Sequence, residues 1–275
     1  MTQSPSELNP AWVSALRWVM TQPGLLTGLP GGHEPLLGPT DARLEELLAY
    51  TQADPSGFMK ILSGRRAHKV GPAFEALVHW GLVQGLGYEC LAWDLQVHAQ
   101  KRTLGAMDLI VRSPQGAVEH WELAYKLYLQ ADSGLEWSSW VGPNERDRLS
   151  LKVSRMLEHQ LPLSALPEAR EALEGVGVAG VDARRVFLQG ALFSPWSSEP
   201  CRATGASMLA QGSWARCSEA GAVASRHGQA RWGKREKPHW FGPWSNHSRA
   251  INSAELLDEL ERCPPLKPQL WIRHD

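Results

Sequence analysis

The chain has 275 residues, and 28 lysines and arginines against 29 acids give it a formal net charge of −1. This length suits one large domain or two small ones, and the near-neutral charge excludes a global basic field, so any nucleic-acid surface must be local. The four cysteines lack CxxC spacing, which favours reduced thiols over a zinc site or a disulfide framework. Because no apolar run approaches bilayer length and no signal pattern opens the sequence, we predict a cytoplasmic protein without a membrane partner.

Residues 1–67 are predicted to form a helical segment. Asn9 can cap a helix over residues 10–21, and a second helix is predicted over residues 42–50, where leucines at helical spacing form an apolar stripe. No catalytic pattern occurs in this segment, so we expect it to pack against the rest of the chain.

A third helix is predicted over residues 71–82, with Phe74 and Leu77 on its buried side. Glu75 lies in the first turn, where the helix dipole already favours an acid. A role for Glu75 beside a functional site remains an open alternative.

A strand is predicted over residues 88–99 because apolar and polar residues alternate along it. The alternation places Leu91, Trp93, Leu95 and Val97 on one face of this strand.

Residues 104–130 are predicted to form a hairpin of two buried strands, 107–111 and 118–129, joined by a turn at residues 113–116. The first strand is apolar on both faces, as a central strand must be, yet it contains Asp108.

The second strand of the hairpin separates by period two into an apolar face and a mixed face. The apolar face has Trp121, Leu123, Tyr125, Leu127 and Leu129, and the mixed face has His120, Glu122, Ala124, Lys126 and Tyr128. Buried acids and lysines are costly unless they are paired or bind a metal. We therefore predict that Asp108, Glu122 and Lys126 converge in one polar pocket, and we interpret His120 as a packed or edge residue.

A helix over residues 145–161, capped by Asn144, is predicted to follow the hairpin. Its basic residues are spaced four, three and four apart and therefore share one face: Arg148, Lys152, Arg155 and His159. This face either is simply solvated or contacts phosphates. Residues 185–193 then form another buried strand, with a glycine where a neighbour approaches closely.

The segment 226–244 interleaves basic residues with aromatic ones. The basic set includes Arg231, Lys234, Arg235 and Lys237, and the aromatic set includes Trp232, Trp240, Phe241 and Trp244. Such a mixture suits single-stranded nucleic acid, through phosphate contacts and base stacking. The alternative is that these tryptophans pack a small C-terminal lobe. A short helix is predicted over residues 253–262.

The region from residue 70 to residue 194 resembles the PD-(D/E)XK nuclease superfamily. In that superfamily Gly-x-x-Asp opens one strand and Glu-x-Lys lies on the next, and this sequence has Gly105 and Asp108 followed by Glu122. Ala124 occupies the usual lysine position, and Lys126 lies two residues further along the same face. Phrases at residues 104–105, 122–126, 140–144 and 147–149 also resemble the bacterial family domain of unknown function 1853, which names no activity.

The nuclease resemblance implies an α/β fold with a restriction-endonuclease-like core. Its mixed central sheet would be flanked by helices in the order α-β-β-β-α-β. The core would span residues 68–195, after the N-terminal helical segment 1–67 and before a Trp-rich C-terminal extension, 196–275, packed on it.

The same resemblance implies metal-dependent hydrolysis of phosphodiester bonds. Mg²⁺ or Mn²⁺ would be held by Asp108, Glu122 and the backbone carbonyl of Leu123, while Lys126 would orient a metal-bound water and Glu75 would add an outer contact. DNA, or else RNA, would contact Arg148, Lys152, Arg155, His159, Arg231, Lys234 and Arg235. Two alternatives remain open: a catalytically inactive nucleic-acid-binding module of the same fold, and a protein-interaction scaffold. A homodimer is compatible with each of these hypotheses.

Overall fold

The computed structural model describes residues 8–31, 34–65, 67–100, 102–235, 240–242, 250–262 and 267–274. In chain order its helices are α1 (Pro10–Thr21), α2 (Ala42–Ala53), α3 (Ser56–Gly64), α4 (Val70–Trp80), α5 (Leu149–Arg155), α6 (Ala169–Glu174), α7 (Ala220–Arg226) and α8 (Ser253–Arg262). Its strands are β1 (Glu89–Ala99), β2 (Arg102–Arg112), β3 (Val118–Gln130), β4 (Trp140–Val141), β5 (Ala183–Pro195), β6 (Gly212–Trp214), β7 (Arg231–Arg235), β8 (Ala250–Asn252) and β9 (Leu270–His274). None of the helices in these ranges has the length and apolar character needed to cross a bilayer.

The main sheet is mixed and has the strand order β1-β2-β3-β5-β6, with the short β4 paired to the end of β3. Strands β1, β2 and β3 are antiparallel, whereas β5 runs parallel to both β3 and β6. A parallel neighbour requires a crossover connection, and the segment between β3 and β5 supplies it with α5 and α6. The prediction of an α/β chain with a mixed sheet flanked by helices is therefore confirmed.

Both faces of β3 are buried, because helices cover the main sheet on each side. Trp121, Leu123 and Tyr125 pack in one cluster with residues of α1 to α4, while Ala124 and Tyr128 pack in another with residues of α5. The predicted period-two division of this strand is confirmed. The acid and lysine on the mixed face of β3 therefore lie under α5, not in open solvent.

The parallel ladder between β3 and β5 contains the predicted close approach at a glycine. Gly190 pairs with Lys126, and a Cβ built on Gly190 would lie 1.8 Å from the Lys126 carbonyl oxygen. No side chain fits at that separation, so a glycine at this position lets the two strands come together beside the site.

Strand β1 departs from simple alternation at Asp94, which has a φ of 59°. Trp93 pairs with Leu109 on one side of this residue, and Leu95 pairs with Met107 on the other. Trp93 packs with the helices α1 to α4, whereas Leu95 packs in a separate cluster with residues of α6. The prediction that Trp93 and Leu95 share a face is wrong because the left-handed residue between them reorients the strand.

Helix α5 begins at Leu149, so the predictions of a start at residue 145 and of an Asn144 cap are wrong. Glu145 has a φ of 61°, and the Gly142 N–H donates to the Asp147 carbonyl at 2.8 Å. This tight turn replaces the expected first helical turn and places Asp147 just before the helix. The helix then widens into a π-helical turn, Met156–Gln160, of the kind often found at functional sites.

The C-terminal residues form a second sheet, in the order β8-β7-β9, with α7 and α8 packed on it around Trp232 and Leu256. The predicted helix over residues 253–262 is confirmed by α8. Phe241 is buried in the main cluster, and the Tyr125 hydroxyl donates to the Trp240 carbonyl at 2.8 Å. Trp240 and Phe241 therefore pack directly against the main sheet and its helices.

Candidate functional site

The candidate site lies where strands β2 and β3 part. Their ladder ends at the pair Leu109–Trp121. Beyond it, the Leu123 N–H donates to Asp108 Oδ2 at 2.8 Å. The Asp108 carboxylate thus binds the backbone of the neighbouring strand. Since the N–H and C=O of one strand residue point to the same edge, the Leu123 carbonyl also faces β2.

The structure brings the side chains of the two predicted acids together. The two carboxyl groups lie close enough for the charge of Glu122 to act on Asp108. Burial raises the pKa of Asp108 to about 7, and the neighbouring Glu122 raises it further in the same direction. Burial likewise raises the pKa of Glu122, which is fully buried, to about 7. Two poorly hydrated like charges close together favour either a shared proton or a bound cation.

Glu75 is a third acid beside this pair, contributed by α4. Burial raises its pKa to about 7, and the charge of Asp108 adds to the shift. The Arg65 guanidinium acts in the opposite direction and lies 3.8 Å above the ring of Trp93. His79 also stacks on Trp93, with ring centroids 4.2 Å apart. This arginine, held by its aromatic stack, is a charged neighbour of Glu75 that no sequence pattern indicated.

The lysine whose charge acts on both acids is Lys152 of α5, whereas Lys126, predicted for this position, pairs with Asp147. Lys126 Nζ is bonded to Asp147 Oδ2 at 2.5 Å, because the turn before α5 brings that acid over β3. Lys152 is partly buried, and its charge acts on both acids of the pair. Burial lowers the pKa of Lys152, the charge of Lys126 lowers it further, and the two acids oppose the shift.

Glu122 is held at both of its carboxylate oxygens. His120 Nε2 lies 2.8 Å from Oε1, and Gln160 Nε2 donates to Oε2 at 2.6 Å. Gln160 also accepts from Lys152 Nζ at 3.2 Å. Of the two predicted alternatives for His120, the packed one is confirmed, because its ring is fully buried. The structure adds that this ring lies against the Glu122 carboxylate. Burial lowers the pKa of His120 to about 4, so the ring is neutral at pH 7.

The predicted basic face of α5 is divided by the fold. Arg148, Arg155 and His159 are exposed, whereas Lys152 turns inward to the acids. Arg148 also donates to the Ser138 carbonyl at 3.0 Å, which fixes its direction at the start of the helix. The exposed members remain available to phosphates, and Lys152 belongs to the acidic site instead.

The predicted basic residues of β7 are mostly engaged within the protein. Arg235 is buried, and Lys234 forms an ion pair with Glu259 at 3.3 Å. Arg231 is exposed and donates to the Ala250 carbonyl at 2.6 Å. Trp232 and Trp240 are buried, as the packed-lobe alternative requires. Lys237 and Trp244 lie outside the described residues.

The fold and the site define an α/β protein in which a mixed sheet and its flanking helices hold a buried glutamate and a half-buried aspartate beside a lysine. The chain belongs to the family described as domain of unknown function (DUF1853), whose family model matches residues 14–268. None of the curated proteins and none of the solved structures compared with the chain is a significant match. The resemblance to this family is thereby confirmed over nearly the whole sequence.

Proposed function

We propose that this protein is a metal-dependent nuclease of the PD-(D/E)XK kind, with a restriction-endonuclease-like core, which hydrolyses phosphodiester bonds of DNA or RNA. The observation that carries the proposal is the proximity of the Asp108 and Glu122 carboxyl groups where β2 and β3 part, which is close enough for the charge of Glu122 to raise the pKa of Asp108. Structural acids in a core usually pair with cations or backbone donors, whereas these two also lie near each other. Such an arrangement is typical of a site built to receive a positive charge.

The donors at this point fit Mg²⁺ or Mn²⁺. Within the described ranges, no group of three or more His, Cys, Asp or Glu side chains has the arrangement to hold a metal ion. Asp108, Glu122 and the Leu123 carbonyl would instead supply oxygens from two strands. Mg²⁺ is commonly held by one or two carboxylates and completes its shell with water and substrate phosphates. When bound, the ion would act as a Lewis acid and lower the pKa of a bound water.

The residues around the acids have separate roles in this proposal. Lys152 places an ammonium group beside both acids, where it can bind a phosphate oxygen and stabilise the negative charge that develops during hydrolysis. Gln160 bonds to both Lys152 and Glu122 and so holds the ammonium group in a fixed position relative to the carboxylate. Glu75, whose raised pKa follows from burial, can accept or hold a proton near neutral pH.

The proposal is tested by adding Mn²⁺ to purified protein in a calorimeter and by assaying cleavage of single-stranded and duplex DNA and RNA with Mg²⁺. We expect saturable metal binding and metal-dependent cleavage of at least one substrate. Binding of nucleic acid without metal binding or cleavage would identify an inactive binding module. If the protein bound neither metal nor nucleic acid, the interaction-scaffold hypothesis would replace this one.

The exposed arginines at the two ends of α5, Arg148 just before the helix and Arg155 as its last residue, are expected to contact the phosphate backbone of the substrate. The double variant Arg148→Gln with Arg155→Gln should weaken binding of all sequences alike and flatten the slope of log affinity against log salt by about two units. The matched control is Arg43→Gln with Arg262→Gln, which removes two exposed arginines on α2 and α8. Equal slopes for the two double variants would show that the α5 arginines only face solvent.

A further inference from the structure

A chain of hydrogen bonds runs from Arg184 through the protein interior to Glu122. Arg184 Nε donates to Ser164 Oγ at 2.9 Å, Ser164 Oγ lies 3.0 Å from His120 Nδ1, and His120 Nε2 lies 2.8 Å from Glu122 Oε1. His120 and Glu122 are fully buried, and Ser164 is 7% exposed. Burying several polar groups is costly unless each finds a partner, so a continuous chain at this position requires an explanation.

The donors and acceptors in this chain have a consistent direction. An ionised carboxylate can only accept, so the single N–H of the neutral imidazole lies on Nε2 and points at Glu122 Oε1. Nδ1 then accepts the Ser164 hydroxyl hydrogen, while Arg184 Nε donates to a lone pair of the same oxygen. The chain of hydrogen bonds therefore ends in an N–H donor that is fixed in position and points at the Glu122 carboxylate.

The serine, histidine and glutamate have the connectivity of a nucleophilic triad, but their surroundings argue against that role. Ser164 is nearly inaccessible to a substrate, and its oxygen already accepts from Arg184. The other oxygen of Glu122 is held by Gln160, and its carboxyl group lies near Asp108. The chain therefore ends at the acidic pair, which makes Glu122 the group that it supports.

We infer that His120, held by Ser164 and Arg184, is a positioning residue that fixes Glu122 and thereby sets the affinity of the acidic pair for a divalent cation. This inference rests on the proposed function. A carboxylate bonded at one oxygen by His120 and at the other by Gln160 cannot rotate away from Asp108. Outer partners of this kind generally contribute a factor of about 10 to 100 to metal affinity when they orient a ligand.

The test compares His120→Leu with His120→Gln, using Mn²⁺ affinity measured by calorimetry as the main readout. Leucine fills space but donates nothing, so His120→Leu should weaken Mn²⁺ binding by about 10- to 100-fold. Glutamine can place an amide N–H near the position of Nε2, so His120→Gln should recover most of that loss. His98→Leu, at an exposed histidine on β1, is the matched control and should bind Mn²⁺ like the wild type.

Ser164→Ala is a second variant, at a residue that bonds to His120 and Arg184 but to neither acid. It tests the inference even if His120→Leu does not fold. It should weaken Mn²⁺ binding several-fold, because the imidazole loses the hydrogen-bond partner of its Nδ1. Wild-type Mn²⁺ affinity in folded His120→Leu, or in Ser164→Ala, would overturn the inference. Failure of the wild type itself to bind Mn²⁺ would instead overturn the proposed function.

Discussion

Replacing Asp108 with asparagine should make the metal-free protein more stable at pH 8 and at the same time abolish Mn²⁺ binding and cleavage. Burial raises the pKa of Asp108 in the folded protein to about 7. Its ordinary value is about 4. A carboxyl group with a raised folded pKa destabilises the folded state as pH rises from the unfolded pKa, and the full penalty is present above the folded pKa. Asparagine removes this charge while its carbonyl can still accept from the Leu123 N–H.

The expected gain for Asp108→Asn is on the order of 1–3 kcal/mol in the free energy of unfolding at pH 8, and it should shrink towards pH 4. Urea unfolding at several pH values without metal measures it. Added Mg²⁺ should stabilise the wild type, by about 2.7 kcal/mol when its concentration is about 100 times the Kd, and should leave the variant unchanged.

The matched control for this variant is Asp182→Asn. Asp182 also accepts a backbone N–H of β3, from Val118 at 2.7 Å, but its side chain is exposed. This variant should gain no stability at pH 8 and should retain metal-dependent cleavage. If Asp108→Asn were as stable as the wild type or less stable at pH 8, the acidic pair would not be strained by like charge, and the argument for a cation site would lose its basis.

The sequence predicted those parts of the fold that depend on local periodicity. Buried strands must alternate or be apolar throughout, so the two faces of β3 and the central position of β2 followed from residue order alone. The close approach at Gly190 was also predictable, because a glycine inside a buried strand usually marks a neighbour that leaves no room for a side chain. Asp108 and Glu122 were recognisable since a charged residue inside such a strand needs a partner.

The parts that escaped prediction depend on single backbone conformations or on distant residues. Asp94 and Glu145 adopt positive φ, which the sequence signals only weakly for residues other than glycine. Asp94 reorients β1 next to Trp93, and Glu145 moves the start of α5 to a later residue than predicted. The partnership of His120 with Ser164 joins residues 44 positions apart, which no local pattern specifies. His120 nevertheless lies two residues before Glu122 on the same face of β3, and this spacing indicates that the two side chains are neighbours.

For the proposed nuclease, the sequence favours Lys126 as the lysine that assists hydrolysis, whereas the electrostatic effect of Lys152 on both acids favours Lys152. We expect Lys152→Met to lower the single-turnover cleavage rate by about 10²–10³-fold at saturating Mg²⁺, since it removes the cation beside both acids. Methionine retains the apolar stem, so loss of packing contributes little. Lys126→Met should lower the rate less than about 10-fold and reduce stability by no more than about 1 kcal/mol, because its ion pair with Asp147 is partly exposed.

The two lysine variants distinguish a mechanism in which Lys152 assists hydrolysis from one in which Lys126 does. If Lys126→Met is inactive and Lys152→Met is active, then Lys126 must leave Asp147 when substrate binds, and Lys152 serves only to hold Gln160. If both variants are slowed but retain a measurable rate, the double variant distinguishes shared from independent roles, because groups that act as one unit have non-additive effects. The lysine of α5 is favoured because its charge already acts on Asp108 and Glu122, whereas Lys126 must first break an ion pair.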